Sequence, residues 1–145
     1  MPRPQIVPFR AEHLCGLTNR DTVRQDHISL ALEKELGGPA FTGLIGETIL
    51  GCAGLVIPWP GVGIGWMVLS EGIGSHRLWM TRMVKRFLYD ATWIYRLHRI
   101  EAVVLADNLR NQQWIESLGF SRENGAARRY TSDGADVIRY ERLGG

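Results

Sequence analysis

One part of the sequence, a helix pattern between two strand patterns, restricts the fold more than any other. The sequence predicts a strand over residues 62–69, an amphipathic helix over 75–97, and a central strand over 100–106 that is rich in β-branched residues. A long helix between two strands of one sheet forms a crossover, and crossovers connect parallel strands. We therefore predict that these two strands run parallel.

The helix over residues 75–97 is the best-defined predicted element, because its apolar and charged side chains separate onto opposite faces. Helical spacing groups the apolar side chains on the face that we expect to be buried. The apolar face comprises Met80, Met83, Val84, Phe87, Ala91 and Ile94, and the opposite face Arg82, Lys85, Arg86 and Asp90.

Antiparallel hairpins are predicted on both sides of the crossover, which makes the layout mixed. A chain of 145 residues has the usual length of one domain. We therefore predict a single α/β (α+β mixed) domain over residues 1–145, with a mixed central sheet of six to seven strands and flanking helices. The other predicted elements are strands over 5–9, 40–45, 48–56, 120–130 and 137–143, a helix over 109–118, and a helical region at Ile28, Ala31, Leu32 and Leu36.

Composition argues against several classes of protein. Hydrophobic residues make up 45% and charged residues 22% of the chain, as in ordinary globular proteins. The longest apolar stretch, residues 51–69, is broken by Pro58, Pro60 and several glycines, so no membrane-spanning helix is expected. The net charge of +2 is spread along the chain, which argues against nucleic-acid binding. The N-terminus has no signal-peptide pattern, so we expect a cytoplasmic protein.

The two cysteines predict neither a disulfide nor a metal site. Cys15 and Cys52 lie too far apart for a metal-binding pair, and no histidine has ligand spacing to another ligand. Nothing in the sequence indicates secretion, which is the usual setting for disulfides. We expect two buried, reduced thiols and no metal.

Two local motifs, together with the order of elements, carry a resemblance to a known family. Asn108 is followed by Trp-Ile-Glu-Ser-Leu-Gly-Phe at residues 114–120, and residues 129–137 read Arg-Tyr-Thr-Ser-Asp-Gly-Ala-Asp-Val. The chain resembles, over nearly its whole length, the GNAT superfamily of acyl-CoA N-acyltransferases. The resemblance implies transfer of an acetyl group from acetyl-CoA, the donor substrate, to an amine.

The resemblance also implies a phosphate-binding loop at the start of the long helix. Glycines there let phosphates approach the backbone, and the helix N-terminus attracts anions. Leu69 stands where the family has a basic or amide side chain, and Glu71 adds a negative charge. A plain loop-to-helix junction, with Ser75 as N-cap, explains the same residues equally well. The candidate cofactor-binding residues are Gly72, Gly74, Ser75, His76, Arg77 and Asn108.

Candidate catalytic residues depart from the family pattern. The family's tyrosine four residues before the glycine of Leu-Gly-Phe is replaced by Ile115. Tyr130 is the candidate substitute for the acid, although packing explains a tyrosine there as well. Glu71 is the candidate base, with Glu47 and His76 on neighbouring turns as alternatives. Asn108 has two readings, a contact to acyl-CoA or a cap on the following helix.

A second reading makes the domain a non-catalytic structural or assembly protein. The Gly-Cys-Ala-Gly-Leu-Val run at residues 51–56 and the passage from Trp-Met-Val-Leu-Ser into an Arg-rich helix resemble small GNAT-like virion proteins of short-tailed phages. Trp59 lies between Pro58 and Pro60 in a rigid turn, where an exposed aromatic side chain favours contact with another protein subunit. The tryptophans on helices, Trp79, Trp93 and Trp114, are expected in the core.

Overall fold

Seven strands form one mixed sheet in the computed structural model, which describes residues 2–17 and 33–144. The spatial order is β1-β2-β3-β4-β5-β7-β6. The strands are β1 (Gln5–Pro8), β2 (Ala40–Ile45), β3 (Thr48–Trp59), β4 (Val62–Leu69), β5 (Arg99–Leu105), β6 (Ser121–Ala127) and β7 (Val137–Leu143).

The predicted parallel pair is confirmed. β4 and β5 run parallel, and every other neighbouring pair in the sheet is antiparallel. Helix α1 (Arg77–Ile94) connects β4 to β5, and helix α2 (Leu109–Ser117) follows β5. Short 3-10 turns cover Ala11–Gly16 and Gly74–His76, and residues 33–37 are helical. The mixed α/β class predicted from the sequence is therefore correct.

The predicted helical region before β2 lies mostly outside the described residues. Ile28, Ala31 and Leu32 fall in the part of the chain without a description, whereas Leu36 is exposed at the end of the helical residues 33–37. No helix within residues 2–17 and 33–144 is long and apolar enough to span a membrane.

Two strand ends differ from their predictions. β3 continues through Pro58 to Trp59, where a turn had been predicted. Proline is tolerated there because pairing with β2 ends at Gly54, and the register with β4 shifts between Val56 and Trp59. β6 ends at Ala127, three residues before the predicted end, and the chain turns at Arg129, which has a φ of 53°.

The two faces of the sheet carry separate apolar clusters. The larger cluster lies on the face covered by α1 and α2 and includes Leu55, Ile100 and Tyr140. The smaller one contains Phe9 and Cys52 on the opposite face. Burial raises the pKa of the Cys52 thiol to about 11, and the hydrogen bond between Thr42 and Cys52 opposes that shift. Cys52 is therefore a buried free thiol, as predicted.

The buried face of α1 differs from the prediction at its C-terminal end. Leu88 is buried, whereas Ile94 is 71% exposed. The helix ends at Ile94, and Arg96 with a φ of 53° turns the chain so that Leu97 enters the core instead. Trp93, predicted in the core, is exposed and lies against the ring of Tyr89 on the outer surface of the helix.

Arg99 on β5 connects β5, β6 and β7, the three strands at one end of the sheet. Its guanidinium donates to Glu101 on β5 at 2.8 Å, to Glu123 on β6 and to Glu141 on β7. The bond to Glu101 is the main cause that raises the pKa of Arg99 above its usual value. This arrangement ties β6 and β7 to the strand that borders the site described below.

Truncation of Leu55 should test the packing of the central strands. Leu55 is fully buried in β3, so Leu55→Ala should lower the free energy of unfolding by about 2–5 kcal/mol. Leu143→Ala is the matched control, because Leu143 is 69% exposed and its loss should change stability by less than about 0.5 kcal/mol. Urea titration measures both, and equal losses would contradict the described core.

Candidate active site

β4 and β5 separate after a short paired segment. Parallel pairing runs from Val62 with Arg99 to Ile64 with Glu101, and then stops. β4 nevertheless continues to Leu69 and β5 to Leu105. The backbone groups on the facing edges of residues 65–69 and 102–105 are therefore not used by a ladder between these strands, and a ligand could hydrogen-bond to them.

A cavity of about 300 Å³ lies beside these separated strands. Gly65 is the first residue of β4 that no longer pairs with β5, and it has no side chain to fill the space beside it. A Cβ there would lie 3.5 Å from the carbonyl oxygen of Glu101. The volume is at the lower end of ligand pockets in proteins. The lining comprises Ala53, Gly54, Gly65, Trp66, Met67, Val84, Phe87, Leu88, Ala102, Val103, Val104, Leu105, Asn108, Asn111, Trp114, Ile115, Leu118, Phe120, Thr131 and Val137.

A hydrogen bond between the two helices holds one wall of this cavity. Trp114 Nε1 on α2 donates to Thr81 Oγ1 on α1 at 3.0 Å. The Thr81 hydroxyl in turn donates to the carbonyl oxygen of Arg77, at 2.9 Å, in the first turn of α1. Trp114 is partly buried and packs on the main core, so the prediction that it is a packing residue agrees with its position.

The loop before α1 is anchored by one buried side chain. Ile73 is fully buried in the main core, whereas Glu71, Gly72 and Gly74 around it are exposed. The N–H of Gly72 donates to Ser70 Oγ at 3.1 Å. A Cβ at Gly74 would meet open space, but its φ of 47° favours glycine. The loop therefore presents bare backbone to solvent at a fixed position.

Ser75 is not the N-cap of the long helix. A 3-10 turn over Gly74–His76 precedes α1, so the N-cap is His76, whose side chain makes no capping hydrogen bond. The first N–H groups of a helix lack intrahelical acceptors. Here the N–H of Arg77 donates to the carbonyl oxygen of Gly74 in the 3-10 turn, and the His76 side chain caps none of the N–H groups that follow. They remain a favourable place for an anion.

Two arginines lie near each other at this end of the helices. Arg77 begins α1 and Arg110 lies in the first turn of α2. Burial, followed by the positive charge of Arg110, lowers the pKa of Arg77 below its usual value. Sequence reasoning selected Arg77 but missed Arg110, because only the fold brings the two helix starts together. Two arginines at helix starts whose charges act on each other are a candidate pair for holding a phosphate.

Asn108 caps α2 through its side chain. Its Oδ1 accepts a hydrogen bond from the N–H of Asn111 at 3.0 Å, and both asparagines line the cavity. Gln112, which is buried, donates to the carbonyl oxygens of Leu105 and Ala106 and so fixes the end of β5. The structure therefore confirms that Asn108 caps α2. A contact between Asn108 and a bound ligand stays a prediction, which its place in the cavity lining favours.

The two candidate catalytic residues do not line the cavity. Glu71 is exposed in the loop before α1. Tyr130 is 57% exposed after β6, and the neighbouring residue Thr131 contributes to the lining instead. Ile115, which stands at the position of the family's tyrosine, does line the cavity. Neither Glu71 nor Tyr130 is therefore among the described residues that line this cavity.

The Trp66 side chain packs on the smaller apolar cluster, together with Lys34, although Trp66 also belongs to the cavity lining. The Lys34 ammonium is 5.5 Å from the centre of the Trp66 ring, which packs edge-on against Phe9. Burial lowers the pKa of Lys34, and the charge of Glu33 opposes that effect. Trp66 Nε1 is buried without a hydrogen-bond partner in the described part of the chain. Within residues 2–17 and 33–144, no group of three His, Cys, Asp or Glu side chains lies close enough together to hold a metal ion.

Solved N-acetyltransferases have the same architecture. Spermidine N-acetyltransferase from Vibrio cholerae in complex with CoA and spermine aligns with a TM-score of 0.73 and 15% identity, over 97% of this chain and 95% of that one. An acetyltransferase of the GNAT family from Streptococcus pneumoniae aligns with a TM-score of 0.75 and 13% identity, over 99% of this chain and 100% of that one. This chain has the GNAT fold. No protein-family model and no curated protein matches its sequence.

The GNAT fold predicted from the two sequence motifs is thereby confirmed. The identities of 13–15% mean that side chains at the site must be judged from this chain alone.

Replacement of Asn108 should separate its cap from its other roles. Asn108→Ala should lower the free energy of unfolding by about 1 kcal/mol, because the N–H of Asn111 loses its acceptor. Asn108→Asp keeps an oxygen at that position and should retain the stability of the unmodified protein. Urea unfolding at neutral pH measures the difference, and equal stability of the alanine and aspartate variants would refute the cap.

Proposed function

We propose that the protein is an N-acyltransferase that transfers an acetyl group from acetyl-CoA to an amine. The observation that carries this proposal is the apolar cavity beside the parted ends of β4 and β5, with Asn108 and Asn111 in its lining. Arg110 lies between these asparagines in sequence and its charge acts on Arg77, which supports phosphate binding beside the cavity. A ligand with an apolar arm and several phosphates fits both features.

Different residues of this chain would bind different parts of such a ligand. Arg77 and Arg110, with the exposed backbone of Gly72 and Gly74, would hold the phosphates at the helix starts. Ser75 and His76 lie in the same turn and contribute backbone. Beyond the paired segment, the backbone of β4 and β5 would form hydrogen bonds with the amide groups of the ligand's arm. Acetyl-CoA would supply the acyl group as a thioester, and coenzyme A would leave as the free thiol.

The apolar lining has its own role in the reaction. A lining of aliphatic and aromatic side chains excludes water and strengthens backbone hydrogen bonds to a polarised carbonyl. Glu71 and Tyr130 remain candidate proton carriers of the proposal, although their side chains stand outside the lining.

Charge removal at the helix starts should weaken binding of coenzyme A. Arg77→Ala and Arg110→Ala should each raise the dissociation constant by about tenfold, as expected for the loss of one charge-assisted phosphate contact. Arg82→Ala is the matched control, because Arg82 is exposed on the outer part of α1 and should leave binding unchanged. Calorimetry with coenzyme A at low salt measures all three.

The result of this titration decides the proposal. Undetectable binding by the unmodified protein at millimolar coenzyme A would contradict the acyltransferase function. Equal weakening by the Arg82 control would instead mean that only the general positive charge of the protein attracts the ligand.

A second candidate is a non-catalytic role in assembly, plausible for a virion component of a phage. Its support is Trp59, which is 62% exposed at the end of β3 between two prolines. Rigid, exposed tryptophans are frequent anchors of protein interfaces. The candidate partner is a further protein subunit, including another copy of this chain.

Trp59→Ala should leave the fold intact but weaken self-association if this second role holds. The loss of one anchor corresponds to about 1 kcal/mol, or about a fivefold increase in the dissociation constant. Trp93→Ala is the matched control, because Trp93 is also exposed but lies on α1. Sedimentation velocity over a range of concentrations measures this, and unchanged association of Trp59→Ala would exclude Trp59 as the anchor.

A further inference from the structure

Among the described residues, two polar side chains are buried, and one of them lies beside the cavity. Gln112 is 6% exposed and follows the lining residue Asn111 in α2, whereas Thr42 on β2 is fully buried elsewhere in the sheet. Burying a polar side chain is unfavourable unless its hydrogen-bonding groups are satisfied. The partners of Gln112 therefore indicate its role.

The Gln112 amide donates both of its hydrogens to the end of β5. Nε2 lies 3.0 Å from the carbonyl oxygen of Ala106 and 3.1 Å from that of Leu105. A side-chain amide nitrogen carries two hydrogens, so both are used. The carbonyl oxygen of Leu105 also accepts the N–H of Asn108 at 3.0 Å. A carbonyl oxygen has two lone pairs, and at Leu105 both are therefore taken.

The carbonyl group of Leu105 lies on the edge of β5 that faces β4. At the start of β5, the N–H of Arg99 donates to Gly61, which directly precedes β4. Just after β5, the N–H of Ala106 donates to Asp136, which directly precedes β7. The backbone groups of successive strand residues point alternately to the two neighbouring strands. Every second residue from Arg99 to Leu105 therefore faces β4.

A carbonyl group whose lone pairs are taken cannot pair with β4. β5 stays paired with β7 as far as Leu105, whereas its pairing with β4 stops at Glu101. The strand is therefore regular to its end, and it has lost its partner on one side alone. On that side, Gln112 and the turn at Asn108 bind the last carbonyl group of the strand to the start of α2.

The same amide fixes the start of α2 relative to β5. Gln112 directly follows Arg110, whose charge acts on Arg77, and the lining residue Asn111. A ligand that reaches from the edge of β5 to these residues needs them at a fixed separation. Groups that are held in place before binding lose less conformational entropy when the ligand arrives, which strengthens binding.

We propose that Gln112 is a positioning residue that holds the carbonyl groups at the end of β5 on α2, away from β4, and so sets the opening that the arm of the acyl donor enters. This inference rests on the proposed acyltransferase function. Gln112 is not among the described residues of the lining, whereas Leu105 and Asn111 are. It acts on the ligand through them.

Gln112→Leu tests this role, because leucine has a similar size but no hydrogen to donate. The carbonyl groups of Leu105 and Ala106 then need new donors, from β4 or from water that enters the cavity, and either change disturbs the opening. We expect the dissociation constant of coenzyme A, measured by calorimetry with the full-length protein, to rise about tenfold.

Thr42→Val is the matched control, because it removes the other buried polar group at a distance from the cavity. The Thr42 hydroxyl lies 2.7 Å from His13 Nδ1 and 3.5 Å from Sγ of Cys52, which belongs to the smaller apolar cluster. Both variants should lower the urea midpoint of unfolding, since each loses buried hydrogen bonds. Gln112→Leu should weaken coenzyme A binding, and Thr42→Val should leave it unchanged.

Gln112→Glu adds a readout that a general loss of stability does not give. The new carboxylate has no hydrogen to donate at neutral pH and faces two carbonyl oxygens, whereas the protonated carboxyl group donates one. Burial raises the pKa of such a carboxyl group. Relative to the unmodified protein at the same pH, coenzyme A binding by Gln112→Glu should be about tenfold weaker at pH 7.5 and recover at pH 5.5. The relative loss in Gln112→Leu should be the same at both pH values.

The results distinguish a positioning role from a role in stability alone. Unchanged coenzyme A binding by both Gln112 variants, or equal weakening by Thr42→Val, would overturn the inference and leave the acyltransferase function standing. A loss in Gln112→Glu that does not recover at pH 5.5 would also overturn it, and this comparison decides the question if Gln112→Leu does not fold. No binding of millimolar coenzyme A by the unmodified protein would overturn the proposed function, and this inference with it.

Discussion

The limit of three paired residues between β4 and β5 is the constraint on which the rest of the site depends. Continuous pairing to Leu69 and Leu105 would close the sheet and remove the cavity. The two strands are held at one end by their ladder and at the other by the elements that follow them, α1 and α2. Trp114 and Thr81 then tie these helices, so the width of the opening is set by hydrogen bonding and packing together.

Much of the fold could be predicted from local pattern because its elements obey simple periodicities. The crossover from β4 to β5 required only a long amphipathic helix between two strands, and a connection of that kind joins parallel strands. Gly46, with a φ of 59°, turns the chain between β2 and β3, as glycine commonly does in hairpins. The predictions were wrong at the ends of elements. Ile94 was expected in the core, but Arg96 has a left-handed backbone conformation that turns the chain, so Leu97 is buried instead. No periodicity contains that information.

The candidate site was less predictable, for a physical reason. Gly72, Gly74 and Arg77 could be selected because they are adjacent in sequence, whereas Arg110 acts beside Arg77 only after β5 and α2 have folded. Asn108 could be placed at a helix start by its type alone. Whether Glu71 and Tyr130 reach a substrate depends on how two loops are directed, and their exposure outside the lining emerges only from tertiary structure.

Ile73 anchors the loop before α1, so the exposed residues of that loop are free to change during evolution. One buried side chain holds the loop in place, while the residues on either side of it are exposed. Substitutions at Glu71 or Ser75 can therefore alter the charge presented to an anion without moving the backbone. A domain built in this way can change the charge of this loop by single surface replacements, while its core stays the same.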